Sequence, residues 1–421
     1  MNDLYKKVFI KLRILVFRYS LFSKIGKLLP YQFVNLVNRL LNTRLRVSKF
    51  VNIDQISNKS INATSDNVRI YSPSIYGKPE KSRVEEVADK SIYIHRLENF
   101  LVYPRSSLLI NASNNSVFVE YNYTKSKDLI FKDDYIYEVV NCLIYYLPNK
   151  ENIIKVKKGI SLLGKGSWNY FHMLLEYLPK LYFIEDNKSE YTLLVNHAFR
   201  DQDSFMFLSG KLFNGEVLYV NDRDVILVDE LIYVTTPLYL TFNKKTAFDL
   251  SDMRYNSRII EWIGALNNIL NEELTHKLEE LEPFEKVFLS RSNLTRNYNC
   301  TGIEKIAENK GFMIVDFSEL PFLHQIAIMR NAKFFVGPTG ASLSNLVFCK
   351  AGTIGLTWMH SAWGEFPAYS TLAELCDVKL FYLQVKSSGS DYHGAYYLDE
   401  DYFSNTIDSI EKEYLSVNER V

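Results

Sequence analysis

From Lys286 to Thr357 short apolar runs alternate with stretches of helical periodicity, and this alternation leaves few folds open. Strands are expected at Val287 to Leu289, Phe312 to Asp316, Lys333 to Gly337 and Thr353 to Thr357, and helices at Thr301 to Asn309, Pro321 to Asn331 and Gly340 to Cys349. Crossovers this short imply a parallel sheet with right-handed connections, and such sheets hold ligands beyond the carboxyl ends of their strands. Three features converge on that edge: the Ser290-Arg291 pair, Asp316, and the turn in the stretch FFVGPTGASLSNLVFC that begins at Phe334. In that turn Gly337-Pro338 ends a strand and Ala341, Leu343, Leu346 and Val347 recur at helical spacing. The first N–H groups of a helix lack intrahelical partners and carry partial positive charge, which suits a phosphate. Gly340 would allow close approach, and Thr339 and Ser342 would add hydroxyl donors at the helix entrance. A strand-to-helix turn serving the chain alone is the plainer alternative.

A second stretch, GKGSWNYFHMLLEYLPKL from Gly164 to Leu181, reads as an amphipathic helix. Phe171, Leu174, Leu175 and Leu178 form one apolar face, while Asn169, His172 and Glu176 share another. Pro179 predicts a kink or an end at Leu178. A histidine one turn before a glutamate is a candidate acid–base pair, or a pair on a solvated face.

Around these two stretches the chain is expected to form two domains, since its 421 residues exceed a typical single core. Residues 1–50 read as a basic amphipathic helical arm. Eleven Lys or Arg stand among residues 1–49 against the single acid Asp3, whereas the formal net charge of the whole chain is zero. Charge interleaved with Val8, Phe9, Ile10, Leu12, Ile14 and Phe17 suits a membrane interface; the apolar run is too broken to span a bilayer or act as a signal peptide. Residues 50 to 90 read as polar loops. Short antiparallel strands are expected at Ser107 to Asn111, Ser116 to Tyr121 and Leu129 to Phe131. An α/β unit follows, with a strand at Tyr191 to Asn196, a helix near Asp203 to Phe213, and strands at Glu216 to Tyr219, Val225 to Val228 and Leu231 to Thr235. Asp252 to Leu270 reads as a helix, and the charged segment after it, 272–285, marks the domain boundary. The expected division is an α/β domain over 51–272, a Rossmann-like domain over 285–400 and a C-terminal helix over 401–421. Cys142, Cys300, Cys349 and Cys376 show no CxxC spacing, against zinc or a disulfide framework. The acidic body and the lack of a groove-reading motif argue against nucleic acid.

These residues resemble glycosyltransferase family 61, in particular its bacterial surface-polysaccharide branch. Asn169, Phe171-His172, Glu176 and Pro179-Lys180 stand in an Asn-x-Phe/Tyr-His-x-x-x-Glu-x-x-Pro-Arg-like pattern. Ser290-Arg291 and Arg296 match a Ser-Arg pair with a second Arg downstream. Asn299, Gly311-Phe312, Gln325 and Ala332 follow in order, and Gly337 to Asn345 match Gly-Pro-His-Gly-Ala-x-Leu-x-Asn. Tyr397 to Asp399 resembles a closing strand and Asp. Thr339 departs from the motif His, and Cys300 from a Glu. The resemblance implies an α/β, GT-B-like architecture, two Rossmann-like domains facing a cleft, and inverting transfer without a metal or other cofactor. A UDP-linked sugar would pass to a growing polysaccharide or lipid-linked acceptor at the inner face of the cytoplasmic membrane, with residues 1–48 on the lipid. It implies His172 and Glu176 as the catalytic pair, with Asn169 and Asp316 lining the cleft. Ser290, Arg291, Arg296, Gly337, Thr339, Gly340, Ala341, Ser342 and Asn345 would hold the donor. The competing readings are a non-catalytic binding subunit of an assembly complex and a nucleotide-sugar epimerase.

Overall fold

The computed structural model describes Asn35, Asn38, Arg39 and residues 46–415, except 57–58, 64–66, 79–82, 89, 121–135, 141–142, 147–151, 185–186, 241–246, 278–283, 292–296 and 386–393. Almost all of the basic arm, Leu129 to Phe131 and Arg296 lie outside the described residues.

Two sheets carry the fold. In the first, β1 (Ile153–Ser161), β2 (Thr192–Asn196), β3 (Val217–Val220) and β4 (Val225–Val234) are parallel, in the order β3-β2-β1-β4. The long strand Ile92–Val102 runs antiparallel on the far side of β4, and Leu109–Asn111 and Val117–Val119 continue the sheet. Arg46–Asn52 then pairs in parallel with Val117–Val119 and antiparallel with Leu143–Tyr146. The end of the expected helical arm is therefore strand: Arg46, Val47, Ser48, Lys49 and Phe50 have partners in an existing ladder, and those backbone bonds outweigh helix propensity.

The second sheet is parallel throughout. It is built from β5 (Lys286–Leu289), β6 (Met313–Val315), β7 (Phe334–Pro338), β8 (Ile354–His360) and β9 (Lys379–Val385), in the order β6-β5-β7-β8-β9. The strand order reverses between β5 and β7. Ser74–Ile75, from far earlier in the chain, adds a sixth parallel strand beside β9.

Helices cover both faces of this sheet. One face carries the apolar side chains of Cys300–Asn309 and Glu400–Ile410, with Ile303, Ala307, Phe403 and Ile407 packed on Phe288, Val336 and Leu383. The other meets Phe322–Asn331, the 3-10 helix Ala341–Phe348 and Ala368–Leu375. That second core continues without a break to the first sheet through the helical segment 170–182 and the helix Ile259–Lys277. Leu162, Leu193, Trp262, Phe335 and Leu380 thus belong to one apolar cluster. The boundary expected at 272–285 falls at the end of Ile259–Lys277, whose Asn267 Nδ2 donates to Val347 O at 3.0 Å.

Several local expectations change. The segment after Gly340 is 3-10 rather than α, with Leu343 N donating to Gly340 O at 3.0 Å and Cys349 N to Leu346 O at 3.0 Å. Val225–Val234 is one strand, not two, because Asp229 and Glu230 interrupt only the apolar pattern and leave the ladder to Ile92–Val102 intact. Asn67–Tyr71 and Val84–Ala88, expected as loop, pair as an antiparallel ribbon that buries Val68 and Ile70. Tyr397 to Asp399 is not strand; the Asp399 side chain caps the following helix, accepting from Tyr402 N at 2.7 Å.

Candidate active site

The carboxyl ends of β5 and β7 meet at the reversal of strand order. Gly337 must be small there, since an added Cβ would lie 2.7 Å from Leu289 Cβ and 2.9 Å from Leu289 O. Beyond the strand ends, Arg291 from β5 reaches across to the turn after β7. Its Nη2 donates to Thr339 O at 2.6 Å, and a Cβ on Gly340 would fall 2.1 Å from the same nitrogen. Gly340 is fully extended, at φ 179° and ψ 178°, so it is the approach of the guanidinium and not the backbone angle that excludes a side chain. The other terminal nitrogen, Nη1, is buried and has no hydrogen-bond partner among the described residues. Ala341 and Ser342 open the 3-10 helix at the same point. A planar cation beside a helix entrance, with one donor unspent, is an arrangement that receives an anion.

Ser290 Oγ donates to Glu304 Oε1, and Cys300 Sγ approaches the same oxygen at 3.0 Å. Burial raises the Cys300 thiol above its ordinary value. A carboxylate thus stands one turn beyond the position where Cys300 interrupts the sequence pattern. Sequence reasoning passed over Glu304, whose only signal was its i+4 spacing from Cys300.

Other expected ligands are engaged elsewhere. Thr339 is buried, and its hydroxyl donates to Trp358 O at 2.6 Å and lies 3.2 Å from Thr357 Oγ1, so it faces the sheet rather than the helix entrance. Asn345 accepts from Tyr170 OH at 2.6 Å and donates to Gln325 Oε1 at 3.2 Å, while Gln325 in turn donates to Phe317 O and Leu320 O. Asp316 caps the 3-10 turn Phe317–Glu319, accepting from Ser318 N at 2.9 Å. Asn169 caps the segment that carries His172, accepting from Phe171 N at 3.0 Å. The Tyr170–Asn345 bond joins the two sequence patterns directly.

That helical segment is α over Tyr170–His172, widens to a π turn over Met173–Tyr177, and resumes as Pro179–Tyr182. Proline has no N–H to give, and Leu178 N instead closes a five-residue ring to Met173 O at 2.9 Å. The carbonyl of Leu174, five residues before Pro179, accepts from Trp262 Nε1 at 3.0 Å. The helical segment is therefore interrupted at Leu178, where a kink or an end was expected, and the π turn before it holds His172 and Glu176 together. His172 Nδ1 lies 2.9 Å from Glu176 Oε2, off the line of a regular hydrogen bond, and both residues are buried. The second carboxylate oxygen accepts from Leu240 N at 3.0 Å, which fixes the orientation of Glu176.

Behind this pair lies a charge cluster that no spacing or periodicity in the chain reveals. Glu120 accepts from Lys90 Nζ at 2.5 Å, Thr236 N at 2.6 Å, the Thr236 hydroxyl and Tyr233 OH at 2.8 Å. Burial alone would raise its pKa, yet the charges of Lys90 and Lys180 and these bonds hold it at about 2.

An all-parallel strand set with an arginine and a glycine turn at its order reversal defines a class, the α/β proteins that take ligands at such a switch point. The family model described as Glycosyltransferase 61 matches residues 170–356, a span that contains both the His172–Glu176 pair and the Arg291–Gly340 contact. Over that span the chain is similar to glycosyltransferase family 61, and on that match the protein is a glycosyltransferase. A search of curated proteins found no match.

Proposed function

We propose that the protein transfers a sugar from a UDP-linked donor, with inversion and without a metal, to a surface-polysaccharide or lipid-linked acceptor. The observation that carries this reading is the half-buried Arg291 guanidinium pressed against Gly340, with its buried Nη1 unspent. In this account the two parallel strand sets are the halves of a GT-B arrangement. The acceptor oxygen bonds to the anomeric carbon as that carbon's bond to the terminal phosphate oxygen breaks. Arg291 and the N–H groups of Ala341 and Ser342 take up the charge that develops on the departing diphosphate. Arg296 is assigned to the same phosphates. His172 receives the acceptor proton on Nε2, while Glu176 orients the ring through Nδ1 and steadies the imidazolium as it forms. The acceptor side is the edge of the first strand set.

The test is a panel of nucleotide sugars, followed by turnover and by NMR of the anomeric configuration of donor and product. Transfer with inverted configuration, unaffected by a chelator, is the expected result. Retained configuration or a strict metal requirement would refute it.

Among the described residues no helix is long and apolar enough to cross a membrane. We assign the basic N-terminal segment to the anionic inner face of the cytoplasmic membrane, each exposed Lys or Arg contributing about 1 kcal/mol there. A deletion that tests this must stop before Arg46, whose strand is paired on both sides. The full chain should sediment with anionic vesicles at low salt and the truncated chain should not.

A further inference from the structure

Lys180 follows Glu176 by one turn, is 1% exposed, and its Nζ has no hydrogen-bond partner among the described residues. The ammonium sits between two aromatic faces, 5.0 Å from the ring centroid of Tyr177 and 4.6 Å from that of Tyr233. Tyr233 in turn donates to Glu120. The charged groups that act on Lys180 come from several elements: Glu120, Lys90 and Glu176. Two carboxylates and two ammonium groups balance while Lys180 keeps its proton, and one negative charge is left over when it does not.

Such a group is hard to explain as packing. A buried ammonium with no hydrogen bonds is costly, an apolar chain of the same length would fill the space, and Glu120 already has Lys90, Thr236 and Tyr233 as partners. What the charge does add is a fixed positive potential beside Glu176 and, through it, His172.

We propose that Lys180 is a positioning residue for glycosyl transfer: its ammonium, held between Tyr177 and Tyr233 one turn beyond Glu176, sets a fixed positive potential on Glu176 and, through it, on His172 before the acceptor arrives. The proposal rests on the reading of His172 as the base. Burial brings Lys180 down to about 8, against the opposing pull of Glu120, so this positioning charge is lost not far above neutrality.

The test measures kcat/KM against pH for the wild type, Lys180→Met and Lys180→Arg, with UDP affinity followed by calorimetry and the His172 ring titration by ¹⁵N NMR of the resting full chain. The wild type should show an alkaline fall centred near pH 8, which Lys180→Arg abolishes up to about pH 9 because a guanidinium keeps its charge. Lys180→Met should lower kcat about tenfold at neutral pH, move the His172 titration up by about one pH unit, and leave UDP affinity within about twofold. A wild-type alkaline limb that persists in Lys180→Arg overturns the proposal, as does an unshifted His172 titration in Lys180→Met. Affinity and kcat falling together in Lys180→Met would also overturn it, by showing a merely structural role. If Lys180→Met fails to fold, the comparison of wild type with Lys180→Arg decides alone. Failure of the base reading itself is separate: it appears as near wild-type turnover in His172→Ala, while the His172 shift in Lys180→Met still reports the electrostatic coupling.

Discussion

Replacing Gly340 with Ala adds one methyl group and tests the donor site more directly than removing any charge. The new Cβ would lie 2.1 Å from Arg291 Nη2 and 3.2 Å from its Cζ, while the backbone at φ 179° accepts an alanine without strain. The guanidinium is the far end of a flexible side chain, so it is Arg291 that must yield. Yielding breaks the 2.6 Å bond from Nη2 to Thr339 O and moves Nη1 from its place. A hydrogen bond to a charged group is worth about 1.5–3 kcal/mol, and tenfold in affinity corresponds to about 1.4 kcal/mol. UDP affinity should therefore fall by roughly ten- to a hundredfold, measured by isothermal titration calorimetry. The same measurement in an Arg291→Ala background gives the decisive term: with the guanidinium gone, Gly340→Ala should cost almost nothing, a strongly non-additive pair. Wild-type affinity in Gly340→Ala, or an undiminished cost in the Arg291→Ala background, would refute the reasoning.

Two further outcomes follow from the buried groups. His172→Ala and Glu176→Gln should each lower kcat by about a hundredfold or more while UDP affinity stays near wild type, as steady-state kinetics and calorimetry would show; unchanged kcat in both would move the base elsewhere. Stability should depend on pH in two windows, read from urea midpoints at fixed pH. Glu120 is held at about 2 in the fold against 4.5 when free, so its contribution is complete above about 4.5 and is lost as pH falls toward 2. Lys180 is held at about 8 against 10.5, so between those values the unfolded chain retains a proton that the folded chain has released, and stability rises with pH by up to about 3 kcal/mol. Burial raises Tyr177 and Tyr233, which reverses the trend above about pH 10. Lys180→Met should flatten the rise, and a rise that survives it would show that another group is responsible.

The second sheet was largely legible because its strands are buried on both faces and read as plain apolar runs: Phe334, Phe335 and Val336 are fully buried. The first sheet was less so. Its central parallel strand, Ile153–Ser161, escaped notice because Lys155, Lys157 and Lys158 interrupt its apolar residues and its first half is largely exposed. The His172–Glu176 pair and Arg291 could be named from spacing, since each lies within a few residues of the feature that gives it meaning. Thr339 could not be oriented from sequence, because its hydroxyl is claimed by Trp358 O from the neighbouring strand. Glu120 and Lys90 lie 50 or more residues before the helix they influence, with no periodicity linking them to it; only the pairing of Ile92–Val102 with β4 brings them to Thr236 and Tyr233.

The two-residue strand Ser74–Ile75 makes any division of the chain at 272–285 chemically unequal. Cut there, the downstream fragment would lose the strand that covers β9, and with it the bond from Tyr71 N to Thr371 Oγ1 and that from Ser370 Oγ to Tyr71 O. What would be left is a bare sheet edge, a row of backbone donors and acceptors beside Phe381 that invites a second copy to add its own strand. The downstream half expressed alone should therefore self-associate, and supplying residues 46–277 in trans should return it to solution as a reconstituted pair.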